Sequence, residues 1–335
     1  MKLSASVLAL LALSTVAASA QNLNASGASA PYPLYSRWFT EYGQAHPGVK
    51  INYQSIGSGG GIKQVSDGIT DFGASDAVMT PEQIAAAKVK VVAIPTVLVA
   101  AVPVYNVPGV KQDLKFSQDA IAGIYLGKIT KWNDPYIAKE NPGVSLPDQT
   151  ILPVFRSDSS GTTFIFTDWL SKVSPEWKER VGNASSVKWP VGIGQKGSEG
   201  VAGMVRQLPY SFGYVELVYA EANHMQVGLV RNKEGHFIKA STTTVTAAAA
   251  AFANKIPADY RVSITDAPGA DSYPISSFTW LLIPTTPKSA ENEPVIKGFL
   301  EWMLNTGEGE AASLTYAPLP PALIERLHKT VASLK

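Results

Sequence analysis

The sequence predicts an α/β protein built as two lobes, and three features carry that prediction. Strand-like and helix-like segments alternate along the chain. Two long, mostly apolar runs, 91–104 and 275–283, have the character of buried strands crossing between two bodies. Residues 21–335 are long for one hydrophobic core and comfortable for two.

The chain opens MKLSASVLALLALSTVAASAQ, with a basic start at Lys2, an apolar stretch at 7–13 and small residues at 18–20. This pattern predicts a secretory signal over 1–20. No later run holds about eighteen uninterrupted apolar residues, so the exported chain is expected to be soluble. Tyr35, Trp38, Phe39 and Tyr42 then fall on one helical face. Past Gly48, Val49, Ile51 and Tyr53 alternate as a half-buried strand does, running into a loop at 57–61 (GSGGG) and a helix from Ile62. Thr80, Pro81 and Gln83 supply a cap, a first-turn proline and a capping-box partner for another helix.

Beyond the first apolar run, a helix is expected over 117–126, ended by Gly127, and a strand over 151–155, weakened by Pro153. The segment RSDSSGTTF, 156–164, opens a helix that continues to 173, with Ile165, Trp169 and Val173 in one row. The alanine run at 247–251 reads as an exposed helix. After the second apolar run come helices near 294–304 and 321–334. The expected division is a first lobe of 21–98 plus 277–335 and a second lobe of 99–276.

Composition narrows the function. There is no cysteine, which excludes a disulfide scaffold and a cysteine-attached lipid anchor. Loss of residues 1–20 removes Lys2 from the 28 basic residues and none of the 27 acidic ones, so the exported chain carries no net charge. A nucleic-acid or membrane-surface partner is therefore disfavoured, and any anion must be held by local groups.

Two stretches offer such groups. In each, a strand delivers the chain into a Ser/Gly loop opening a helix, whose first backbone N–H groups lack internal partners and suit an oxyanion. Ser58, Ser160 and Thr162 can add hydroxyl donors. Each stretch alone is more often the mark of an ordinary capped helix start than of a ligand site. Arg156 and Asp158 sharpen the second, because residues two apart in an extended segment share a side and the carboxylate can hold the guanidinium fork.

Other motifs lead nowhere. Asp71-Phe72-Gly73 lacks the companions of a kinase site, and Asp71 is read as structural or solvent-facing. The spacing of Asp67, Asp71 and Asp76 matches no calcium loop. GIGQKG, 192–197, fits a dinucleotide-binding pattern in letters but follows no clear strand, so a turn or lobe-closing loop is expected there. His46, His224, His236 and His328 are scattered, and no nucleophile elbow occurs. No catalytic residue, metal or cofactor is expected.

Taken in order, GASAPYPLYSRW (27–38), YQSIGSGGGIKQ (53–64), DFGASD (71–76), IAGIYLGKITKWN (121–133), RSDSSGTTF (156–164), VKWPVGIGQKGSEGVAG (187–203) and GYVELVYA (213–220) resemble the periplasmic phosphate-binding proteins of bacterial phosphate-specific ABC transporters. The resemblance implies a type II periplasmic binding protein, with a ligand cleft between lobes joined by two crossing strands. It implies a monomeric receptor that binds inorganic phosphate in the periplasm and delivers it to inner-membrane permease subunits. By motif position, Ser29, the Ala30 backbone, Ser58 and Asp76 would contact phosphate from the first lobe. Arg156, Ser160, Gly161 and Thr162 would contact it from the second, with Asp158 orienting Arg156. Ser29 and Ala30 stand where the family commonly has Thr and Phe, which retains a hydroxyl and a backbone donor but removes a large apolar lid. Alternative readings are a secreted phosphatase and a binder of another tetrahedral oxyanion.

Overall fold

The computed structural model describes residues 21–334, and the signal expected over 1–20 lies outside the described residues. From Gln21 the chain runs as a strand, Gln21–Gly27, flanked by parallel neighbours Val49–Ser55 and Phe72–Ser75. The helix Tyr32–Ala45 buries Leu34, Tyr35, Trp38, Phe39 and Tyr42, the face that their spacing predicts.

Among the described residues, nine strands form one continuous sheet in two halves, a two-lobed α/β architecture. The first half runs Val49–Ser55, Gln21–Gly27, Phe72–Ser75, Ser276–Pro284 and the start of Val91–Tyr105. The second holds the end of Val91–Tyr105 with Ser211–Glu216, Leu152–Arg156, Ile193–Gln195 and Gln226–Val227. Val91–Tyr105 belongs to both, because its residues up to Ala100 pair with Ser276–Pro284 and those from Ala101 pair with Ser211–Glu216. From Ile94 onward this strand is buried throughout. The chain returns to the first half at Ser276, beside Ala100, where the long strand changes partners.

Pro95 is tolerated inside this strand because the ladder is irregular there: Trp280 faces Pro95, Thr279 faces Val97, and Thr96 is left out. The Thr96 hydroxyl instead meets Tyr35 Oη at 2.7 Å.

One expectation needs correction, and two others are resolved. The helix Thr242–Ala250 is not exposed: Val245, Ala248 and Ala249 are buried against the long strand and Ser276–Pro284, the small side chains allowing close approach. Of the two readings of Asp71 the structural one holds: its Oδ2 accepts from Asn24 N at 2.7 Å and its Oδ1 from Asn292 Nδ2 at 2.8 Å, tying the first strand to the helix Asn292–Asn305. The glycine motif 192–197 follows no strand, as expected; it contains the short strand Ile193–Gln195 and leads into the helix Gly197–Gln207. At three residues on the sheet edge, this strand is too short for a period to register.

Candidate functional site

The ends of five strands converge where the two halves of the sheet meet. Gln21–Gly27 leads through Ser29 and Ala30 into the helix Tyr32–Ala45, and Val49–Ser55 leads into Ser58–Ser66. Phe72–Ser75 ends at Asp76, Leu152–Arg156 leads into Gly161–Val173, and Ile193–Gln195 into Gly197–Gln207. A side chain at Gly61 would collide with Ala74 O at 2.5 Å and Ser26 O at 2.8 Å, so glycine there lets the second helix lie directly on the sheet.

Arg156 is the centre of the cluster and almost wholly buried. Its Nε and Nη2 donate to the two carboxylate oxygens of Asp158 at 2.7 and 2.6 Å, the bidentate geometry that the sequence spacing suggests. Gly197 N donates to the same carboxylate at 3.2 Å. With its fork taken, Arg156 turns Nη1 across the cleft to Ser29 Oγ at 3.1 Å, and on its own side to Ser198 Oγ at 2.9 Å and Thr162 Oγ1 at 3.4 Å. Burial alone would lower the guanidinium's pKa, but Asp158, and Glu216 behind it, hold it above the ordinary arginine value.

Asp76 faces this cation from the other half. It is 1% exposed; its backbone N donates to Ser58 Oγ at 3.0 Å, and Ser58 Oγ approaches Asp76 Oδ2 at 3.4 Å. Its Oδ1 is buried with no partner among the described residues. Burial and then the charge of Glu216 push the carboxyl up to about 7, against the opposing pull of Thr279, Arg156 and Ser58. Such a group is poised to meet a ligand proton.

The two halves touch at these residues. Gly59 N donates to Ser159 O at 3.1 Å, and Gly161 lies against Ser58 and Asp76. Ser160 caps its helix by accepting from Thr163 N at 3.2 Å. Ala30 is fully buried, its carbonyl accepting from Tyr316 Oη at 2.6 Å, while Tyr219 Oη donates to Ser29 O at 2.8 Å. Ser29, Ala30, Ser58, Asp76, Arg156, Asp158, Ser160, Gly161 and Thr162 thus form one connected group.

Sequence reasoning missed Ser198, Glu216 and Tyr219. Ser198 is a hydroxyl in the first turn of a helix behind a glycine, the same signal as at Ser58 and Ser160. Glu216 is the one acid in the buried strand Ser211–Glu216, and Thr162 Oγ1 donates to its Oε1. An acid closing an otherwise uncharged strand is a legible anomaly. Among the described residues no group of three or more His, Asp or Glu side chains is placed to hold a metal.

Comparison with known proteins agrees with this architecture. Residues 13–306 match the PBP superfamily domain. The chain is 43% identical over 309 residues to the phosphate-binding protein PstS of Pasteurella multocida, covering 92% of this chain and 89% of that one. It is 41% identical over 312 residues to PstS of Xylella fastidiosa, covering 93% and 85%. The solved phosphate-binding protein of Stenotrophomonas maltophilia has the same fold, with a TM-score of 0.69 at 19% identity over 92% of this chain and 94% of that one. These relatives are named as binding proteins rather than enzymes, and the fold is that of a type II periplasmic binding protein. The chain therefore belongs to the PBP superfamily and, within it, to the PstS family of phosphate-binding proteins.

Proposed function

We propose that this chain captures inorganic phosphate in the periplasm, as a monomer, and hands it to the permease subunits of an inner-membrane ABC transporter. The ligand is held between a lobe of 21–98 plus 277–335 and a lobe of 99–276. Ser29, the Ala30 backbone, Ser58 and Asp76 contact it from one side, and Arg156, Ser160, Gly161 and Thr162 from the other. Asp158 keeps Arg156 aimed. The names of the curated relatives support this reading.

The observation that carries it is Asp76, a buried carboxylate with one unpartnered oxygen inside a ring of hydroxyl, amide and guanidinium donors. Hydrogen phosphate has a proton to give to that oxygen. Sulfate has none, so its oxygen would face carboxylate lone pairs, leaving a buried charge unpaired at a cost of about 3 to 5 kcal/mol. Calorimetric titration of ligand-free protein with phosphate and sulfate tests this: strong preference for phosphate is expected, and equal or no binding overturns the reading.

A further inference from the structure

Three successive carbonyls in the segment that enters the helix Tyr32–Ala45 are each held by a tyrosine hydroxyl. Tyr53 Oη donates to Ala28 O at 2.7 Å, Tyr219 Oη to Ser29 O at 2.8 Å and Tyr316 Oη to Ala30 O at 2.6 Å. Burial pushes all three phenols above the ordinary tyrosine pKa, so each keeps a proton to donate. The N–H groups of Ser29 and Ala30, by contrast, meet no protein acceptor among the described residues. Pro31, next in the chain, has no N–H.

A planar trans peptide sets its C=O and its N–H on opposite sides, and none of the described peptide bonds is cis. Holding a carbonyl therefore aims the next residue's N–H the other way. Tyr53 in this manner fixes the direction of the Ser29 N–H, and Tyr219 that of the Ala30 N–H. Tyr316 aims none, because Pro31 follows. The three tyrosines also differ in origin. Tyr53 lies on the strand Val49–Ser55, and Tyr316 precedes Ala317, which bridges Leu98, so both belong to the first half of the sheet. Tyr219 comes from the other half, on the helix Leu217–Ala222 that follows Ser211–Glu216.

We propose that Tyr219 is a positioning residue: as the two halves meet, it takes hold of the Ser29 carbonyl and aims the Ala30 N–H at the phosphate between them. This inference rests on the reading of the cleft as a phosphate site. The Ser29 carbonyl also accepts from Tyr32 N at 3.1 Å within its own half, so the phenol adds to a hold already present and its effect is modest. Tyr219 Oη stands 3.0 Å from Glu199 Oε1 as well, but a phenol has one proton, and its shorter contact is the carbonyl.

Tyr219→Phe keeps the ring and removes the hydroxyl. Calorimetry should show phosphate binding about threefold to tenfold weaker, the size of one lost hydrogen bond. Release measured by stopped flow should quicken by the same factor, because the contact forms only where the halves meet, while the ligand-free melting temperature stays near wild type. Tyr316→Phe removes an equally buried hydroxyl that aims no N–H, so it should lower the melting temperature and leave affinity within about twofold of wild type. The direct readout is the Ala30 amide proton in protein labelled at alanine nitrogen: phosphate should move it downfield in wild type and by less in Tyr219→Phe. An Ala30 amide that phosphate leaves unmoved overturns the inference even where Tyr219→Phe fails to fold. So does wild-type affinity in Tyr219→Phe, or an equal loss in Tyr316→Phe. In each of these cases phosphate binding itself stands; absence of phosphate binding by the wild type would instead overturn the function proposed above.

Discussion

Gly161 lies so close against Asp76 that a Cβ at residue 161 would come within 2.6 Å of Asp76 Oδ2, and within 2.3 Å of Ser58 Oγ. The helix start on one side of the cleft is therefore fitted to the carboxylate on the other. Gly161→Ala should hold the two sides apart. Overpacking of this kind costs about 1 to 3 kcal/mol, which predicts a phosphate affinity lower by about 5- to 100-fold. Because the clash exists only when the sides meet, the melting temperature of the ligand-free variant should change less than its affinity. Wild-type affinity in Gly161→Ala would show that the sides need not meet around the ligand.

Asp158 takes two of Arg156's donors and leaves the third nitrogen for the cleft. Asp158→Ala frees the guanidinium to swing and strips the partner from a buried cation. Loss of a hydrogen bond to a charged group is worth about 1.5 to 3 kcal/mol, so phosphate should bind about 10- to 100-fold more weakly. Calorimetry reads this directly, and an unchanged affinity would mean that Arg156 is positioned by its other contacts.

The raised pKa of Asp76 makes selectivity depend on pH. Above about 7 the carboxylate is ionised and repels sulfate. Below it the carboxyl holds a proton that it can donate to a sulfate oxygen. Sulfate affinity should accordingly rise about tenfold per unit as pH falls toward 7 and level off below it. A competition assay at pH 5.5 and pH 8 measures the change; equal sulfate affinity at both would place the proton elsewhere.

The same group makes a signed contribution to stability. Its folded pKa, about 7, lies above the ordinary 3.8, so the folded ligand-free protein holds this proton more tightly than the unfolded chain does. Stability is then lost as pH rises from about 4 through 7, by on the order of 4 kcal/mol in all. Asp76→Asn removes that loss. The ligand-free variant should melt above wild type at pH 8 and level with it near pH 4, as thermal scans at the two values would show. A variant that melts below wild type at pH 8 would contradict the sign.

The parts of this site legible in the sequence are those carried by local rules. Hydroxyls before a helix, glycines where backbones meet, and an acid two residues from an arginine all lie within one short segment, as in RSDSSGTTF. Glu216 and Ser198 were hidden because their meaning arises only when separate strand ends are brought together. The strand Gln21–Gly27 carried no clear signal of its own, and Asp71 showed its partner Asn292 only once the chain had returned to the first half. The burial of Ala248 and Ala249 was equally invisible, since alanine suits a surface and a close packing face alike.

The most direct test of the central claim, that a buried carboxylate at residue 76 reads the ligand's proton, is the ratio of phosphate to sulfate affinity in wild type and Asp76→Asn at pH 8. An amide of the same shape can donate to sulfate where the carboxylate repels it, so the ratio should fall by about 100-fold or more. A ratio that stays the same in the two proteins would contradict the claim.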